Sequence, residues 1–133
     1  MGLPLVVVGK MYNGARTTLS ITPTDLKNLV FNPKELKTSQ KIYQEGRRKW
    51  LKRYGGKLLK FIPYQLKLLS NKLKVHSIGY SYSLNQTKYE EMSYFINCKE
   101  QLYHLKSLLR PSTHQTDRQH INGIINNFQC GDS

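Results

Sequence analysis

The residues that could do chemistry lie in the segment 114–120, which reads HQTDRQH. Histidine and aspartate can act as a general base and a metal ligand, so a small nuclease using His114, Asp117 and His120 is one hypothesis. The spacing matches neither HExxH nor a paired Cys/His site, and eight acids in the chain leave little for a two-metal centre. We therefore assign no catalytic residue, no metal ligand and no cofactor, and favour a non-catalytic protein over an enzyme.

A stronger signal is the stretch 45–61, EGRRKWLKRYGGKLLKF, which contains seven cations and three aromatic residues but one acid. Over 41–74 there are eleven Lys or Arg against Glu45 alone, so most of the net charge of +13 lies in this segment. A basic surface of this kind predicts an anionic partner, with nucleic acid first. The binding residues we assign to it are Lys41, Arg47, Arg48, Lys49, Lys52, Arg53, Lys57 and Lys60.

The charge pattern on this stretch differs from that of an ordinary solvated helix face. Such faces mix signs, whereas here like charges lie four residues apart, as in Arg48 and Lys52. An anionic partner would relieve this repulsion, and an idle basic face is the alternative. The spacing of Tyr43, Trp50 and Tyr54 predicts one helix face and a core position for Trp50, while an exposed stacking platform for bases stays open.

Cysteine content and hydropathy bear on the compartment and on membranes. The two cysteines, Cys98 and Cys130, suggest neither a disulfide framework nor a CxxC metal pair. The amino terminus lacks the basic and apolar regions of a signal peptide, and no apolar run approaches the length of a membrane span. We expect a reduced, intracellular protein in the cytoplasm or nucleus, for which membrane-surface binding through the amphipathic stretch 57–74 is a disfavoured alternative.

Helices and strands must position these side chains, and the first half of the chain gives clear signals for them. Two strand-like runs around Asn13-Gly14 predict a hairpin over 3–21. Thr-Pro and Asn-Pro sequences followed by an acid predict helix starts at Pro23 and Pro33. The first helix covers about 23–31 and the second 33–54, ending at Gly55-Gly56.

The second half predicts more helix. KLLKFI at 57–62 is a short strand or a loop, and leucines at spacings of three and four predict a helix from Pro63 to about residue 74. Alternating large and small residues predict a strand over 76–84. A capping box that starts at Thr87 predicts a helix over 88–110, and a last helix covers 117–129.

Together these elements predict one α+β domain over 1–133, in which an N-terminal β-hairpin and a later strand pack with four to five α-helices. It contains a basic helical segment, 33–74, and a C-terminal helical pair, 88–129. The predicted function is non-catalytic binding of nucleic acid, with RNA preferred over DNA, in a ribonucleoprotein or as an accessory protein of a virus or mobile element. An interaction protein whose basic face docks on an acidic protein is the alternative, with the nuclease third.

Overall fold

The fold is built on one six-stranded antiparallel sheet. The computed structural model describes residues 5–12, 15–24, 36–98, 101–110 and 114–130. In chain order the elements are β1 (Leu5–Tyr12), β2 (Ala15–Thr24), α1 (Leu36–Tyr54), β3 (Lys57–Leu68), β4 (Lys74–Leu84), β5 (Thr87–Cys98), β6 (Gln101–Leu109) and α2 (His114–Asn126). The strand order is β1-β2-β6-β5-β4-β3, so β1 and β3 are the edges of this sheet.

The two helices of the described residues cover opposite faces of the sheet. On the face that we call the α1 face, Leu51 of α1 packs against Tyr80 and Tyr82 of β4. On the other face, the α2 face, Ile121 and Ile125 of α2 join a buried cluster with strand residues. The strand members of that cluster are Val75, Ile96, Leu105 and Leu109. The central strands are thus buried on both sides, and their apolar area gives the fold its main stabilisation.

Four of the predicted elements are confirmed. The N-terminal hairpin has antiparallel β1 and β2, with Tyr12 opposite Ala15, although its turn residues Asn13 and Gly14 lie outside the described residues. Helix α1 ends at Tyr54, and the following Gly55 has a φ of 74°, the left-handed conformation that glycine adopts at helix ends. The strand over 76–84 corresponds to β4 and the last helix to α2.

The predicted architecture of four to five helices is wrong, because segments assigned as helix form strands. The segment 88–110, assigned as the first of two C-terminal helices, forms β5 and β6. Its apparent capping box is preceded by a two-residue hairpin turn, in which Asn85 and Gln86 have φ values of 50° and 66° and join β4 to β5. Positive φ at both central residues is the requirement of a type I′ turn.

The helix predicted from Pro63 to residue 74 is also wrong. Residues 57–68 form β3, which pairs along its length with β4, and Pro63 lies within one of its two register shifts. An edge strand tolerates proline because one side of its backbone needs no partner. The helix predicted over 23–31 begins inside β2, and residues 25–31 lie outside the described residues.

A disulfide joins Cys98, the last residue of β5, to Cys130, which follows α2. The expectation that these cysteines are unpaired and reduced is therefore wrong. The bond closes a loop with a sequence separation of 32 residues and holds the end of α2 to the sheet. Two hydrogen bonds add to this at the same end. The Asn71 side chain donates to the Phe128 carbonyl, and Lys67 donates to the Asn126 side chain.

Removing this disulfide should lower stability substantially. For a loop of this length, chain-entropy arguments give a cost of about 3–4 kcal/mol in the free energy of unfolding. We expect urea unfolding of the Cys98→Ser/Cys130→Ser variant to show this loss, and the parent protein to show the same loss in reductant. The double variant is the control, because reductant should not change its unfolding. Two free thiols in the untreated parent protein would contradict the bond.

Candidate functional site

Helix α1 carries most of the predicted binding residues, and its packing decides which of them are available. The helix is fixed to the α1 face through Leu51, which is buried, and through Tyr43, which packs edge-on against Tyr80 with ring centroids 6.3 Å apart. The Gln40 side chain accepts a hydrogen bond of 2.8 Å from the backbone N–H of Tyr64 in β3. This packing leaves the opposite side of the helix in solvent.

Five of the eight predicted binding residues lie on that outward side and are exposed: Lys41, Arg48, Lys49, Lys52 and Arg53. We call these five residues the basic surface. The acid within it is Glu45, which is also exposed. Among the described residues, no ion pair involves any of the five cations. Arg48 lies over the ring of Phe61, 5.0 Å from its centroid, so this cation also contacts β3.

Arg47 lies apart from the basic surface. Its Nη1 is 3.7 Å from Oε2 of Glu91, a carboxylate that is almost fully buried beneath the helix. Lys106 of β6 reaches the other oxygen of the same carboxylate at 3.1 Å. Arg47 therefore helps to tie α1 to the sheet, and its charge is partly compensated.

Lys57 and Lys60 lie on the edge strand β3 and belong to the opposite sheet face. Lys57 pairs with Ser83 and Lys60 with Ser81, and directly opposed residues in a sheet share a face. Ser81 and Ser83 alternate with Tyr80 and Tyr82, which face α1, so the two serines lie on the α2 face. The side chains of both lysines therefore leave the backbone on the α2 face. Both are exposed, and their long side chains extend the positive charge around the edge of the sheet.

Trp50 is neither fully buried nor a free platform. It is half-buried, with its ring edge-on to Tyr82 at 5.7 Å and tilted against Tyr54 at 5.1 Å. The fully buried residue of this turn is its neighbour Leu51. The predicted aromatic stripe is thus correct for Tyr43, but Tyr54 is 56% exposed and Trp50 lies at the border of the core.

Residues of the nuclease hypothesis lie on α2, away from α1. His114 is the first residue of the helix, Asp117 is half-buried in its first turn, and His120 is exposed. An acid in the first turn is favoured by the helix dipole without any catalytic role. In the described part of the chain, no three His, Cys, Asp or Glu residues are grouped so that they could hold a metal ion.

The buried tyrosines beneath α1 were not singled out from the sequence. Tyr80 stacks on Tyr82 at 4.9 Å and Tyr82 on Tyr89 at 5.3 Å. Burial, together with the nearby Glu91 carboxylate, raises the pKa of Tyr80 to about 12, and burial also raises the pKa of Tyr43 and of Tyr82. Alternation of tyrosine and serine in β4 was the available signal for this cluster.

Comparisons with known proteins give a fold relative but no family. No protein-family model matches the chain, and no curated protein matches it. A solved structure of a Pseudomonas aeruginosa protein of unknown function, PA94, for which a regulatory role has been suggested, is similar with a TM-score of 0.62. The match covers 98% of this chain and 85% of that one at 8% identity, so it shows a shared fold alone. Neither described helix has the length and hydropathy of a membrane span.

The tyrosine cluster predicts how stability depends on alkaline pH. Because the pKa of Tyr80 is about 12 when folded and 10.0 without burial, the unfolded chain loses this proton first as pH rises. The stabilising contribution of the neutral phenol is complete below pH 10 and is lost between about pH 10 and 12. We expect the free energy of unfolding, measured with urea, to fall over this range, and to fall less steeply in Tyr80→Phe. Equal slopes in both proteins would contradict the assignment.

Proposed function

We propose that this protein is a non-catalytic nucleic-acid-binding protein that prefers RNA to DNA and binds through the basic surface of α1. The observation that supports this function best is the exposure of Lys41, Arg48, Lys49, Lys52 and Arg53 on one side of a helix anchored to the sheet by its other side. One exposed acid, Glu45, interrupts them. Their charge is therefore available to a polyanion without unfolding or moving the helix.

The electrostatics of α1 favour an anionic partner. Arg48 and Lys52 are four residues apart on the helix, as are Lys49 and Arg53, so each pair repels. From Lys41 to Arg53 the helix rises about 18 Å, so several phosphates of one strand can lie along it. A phosphate backbone along this surface would relieve the repulsion and release its own counterions.

Binding of a single strand rather than a duplex is supported by the aromatic residue at the end of the basic surface. Tyr54 is exposed and lies next to Arg53, with Trp50 packed behind it. Unstacked bases of a single strand can stack on such a ring, whereas paired bases of a duplex cannot reach it. Lys57 and Lys60 on β3 would continue the contact when the nucleic-acid strand follows the edge of the sheet.

An acidic protein is the second candidate partner, and a specific observation favours it. Four large apolar side chains are exposed on α1 and β3 beside the cations: Ile42, Leu59, Leu66 and Leu68. Phosphate backbones make no use of such residues, whereas the cores of protein interfaces are apolar. The edge strand β3 also offers unpaired backbone groups, although its lysines, its proline and its two register shifts hinder strand addition.

The disulfide bears on where the protein would act. An intracellular role, in a ribonucleoprotein or as an accessory protein of a virus or mobile element, stays a prediction. Disulfides persist in oxidising compartments and are rare in the cytosol and nucleus, so the bond between Cys98 and Cys130 counts against an intracellular location. Binding by the basic surface does not depend on the compartment, because neither cysteine lies on α1.

Charge reversal on the basic surface tests the proposed function. We expect Arg48→Glu/Lys52→Glu/Arg53→Glu to weaken binding to single-stranded RNA by at least about tenfold at 100 mM salt, since three phosphate contacts are lost. In a plot of log affinity against log salt concentration, the slope should become shallower by about 2. Fluorescence anisotropy with labelled RNA, duplex DNA and an acidic protein measures both quantities, and circular dichroism melts should change little, because exposed charges stabilise weakly.

A matched pair of single substitutions controls for net charge. Lys52→Glu and Lys72→Glu change the charge equally, but Lys72 is exposed in the turn between β3 and β4, at the opposite end of β3 from Lys57 and the end of α1. Only the first should weaken RNA binding. Unchanged affinity in the triple variant would reject the basic surface as the site. Tighter binding to the acidic protein than to either nucleic acid would favour the second candidate.

We further expect no cleavage of RNA or DNA when magnesium, manganese or zinc is added. The described residues near α2 offer Asp117 and His120 without a third ligand nearby, and a metal-dependent hydrolase needs more. Gel analysis of labelled RNA after prolonged incubation measures this. Metal-dependent cleavage that disappears in His120→Ala would establish the nuclease function instead, whereas cleavage that persists in this variant would exclude His120 as its base.

A further inference from the structure

A cleft lies where α1 borders the part of the sheet formed by β2, β6 and β5. Its volume is about 340 Å³. The polar lining residues are Ser20, Arg47, Glu91 and Lys106, and the apolar ones are Trp50, Tyr82 and Leu108. It lies on the inner side of α1, so its lining shares no residue with the basic surface. A cleft of this size is at the small end of the range for sites that bind small molecules.

The charges that line the cleft do not cancel. Glu91 is the acid, and it faces two cations, Arg47 at 3.7 Å and Lys106 at 3.1 Å. An ion pair between Arg47 and Glu91 would be enough to anchor α1 to the sheet. Adding Lys106 leaves one excess positive charge in the cleft, and because 44% of this side chain is exposed, the charge is open to an anion from solvent.

Both cations keep donors that Glu91 does not use. An ammonium group has three donors and a guanidinium group five, and each cation makes one contact of ion-pair length with the carboxylate. The Nε of Arg47 is buried, so a ligand would have to contact the terminal guanidinium nitrogens, one of which already contacts Glu91. About a third of the Arg47 side chain and 44% of that of Lys106 remain exposed, so a small ligand can reach them.

The remaining walls are apolar and define the rest of the ligand. Trp50 and Tyr82 pack edge to face at 5.7 Å, and Leu108 of β6 lies at the other side of the cleft. We propose that this cleft binds a small organic anion, whose carboxylate or phosphate lies between Arg47 and Lys106 and whose aromatic or short aliphatic body lies against Trp50.

Trp50 is the single tryptophan of the chain, so its fluorescence reports directly on the cleft. The proposal requires both an anionic group and an apolar body, and four probes separate these features. Benzoate and phenyl phosphate have a ring and a negative charge. Benzyl alcohol lacks the charge, and inorganic phosphate lacks the ring. We expect benzoate or phenyl phosphate to change the emission with a Kd of about 1 mM or below, a reasonable affinity for ligands of some ten atoms. The other two probes should bind at least about tenfold more weakly, because each provides half of the contacts.

Variants of two lysines show whether the anion binds where we place it. Lys106→Gln removes the excess charge but leaves Arg47 and Glu91 to hold α1, and it should weaken binding of the better probe at least about tenfold. Lys88→Gln, which removes an exposed lysine on the opposite face of β5, should bind as the parent does. Isothermal titration calorimetry repeats the measurement without relying on emission, and thermal melts confirm that both variants are folded.

The outcomes separate this site from the basic surface. The tighter of the two aromatic anions identifies the head group, and excess single-stranded RNA should not displace it. Absence of binding by both probes up to 10 times the expected Kd, in fluorescence and in calorimetry, would overturn the proposal. Equal affinity in Lys106→Gln and the parent would also overturn it. Neither result depends on whether the charge reversals at Arg48, Lys52 and Arg53 affect RNA binding.

Discussion

Burial of the central strands on both faces is the constraint on which the rest of the structure depends. β4, β5 and β6 are covered by α1 on one side and by α2 on the other. Each helix covers apolar residues of these strands, and a separate set of contacts holds each helix to the sheet. Helix α1 is held by packing together with the buried Glu91, which contacts Arg47 of the helix and Lys106 of the sheet. Helix α2 is held by the disulfide from Cys98 to Cys130.

The same two-sided burial explains why the sequence predicted half of the fold correctly and the other half wrongly. In β4, serines and a glycine alternate with large residues, so the period of two is visible in the sequence and that strand was predicted. In β5, Phe95 faces α1 while its neighbour Ile96 faces α2, so both are buried and the period of two disappears. The apolar residues that remain visible, such as Phe95, Leu102 and Leu105, then fall by chance at helical spacings. Whether the segment forms strands or a helix is decided by pairing between strands, which no local sequence pattern shows.

The candidate site was predictable to the extent that it depends on one helix. The period of α1 indicated that its cations point away from its aromatic residues, and five of them are exposed as expected. Arg47 was grouped with these five because its charge is the same, but its partner Glu91 lies 44 positions further along the chain, in a segment that was assigned to a helix. The cleft could not be predicted for the same reason. Three of its lining residues, Ser20, Arg47 and Lys106, come from three elements that only the fold brings together.

The arrangement gives α1 two separable roles. Its inner side is fixed by Leu51, by Tyr43 and by the contact of Arg47 with Glu91, and Arg48 on its outer side is further restrained by the ring of Phe61. A helix held in this way keeps its charges in fixed positions before any partner arrives, so that binding requires less ordering of the protein. Rigid elements are suitable supports for a binding surface for this reason. Of the anchoring contacts, that of Arg47 with Glu91 also lines the cleft, so the inner side of α1 holds the helix and offers a site while its outer side carries the basic surface.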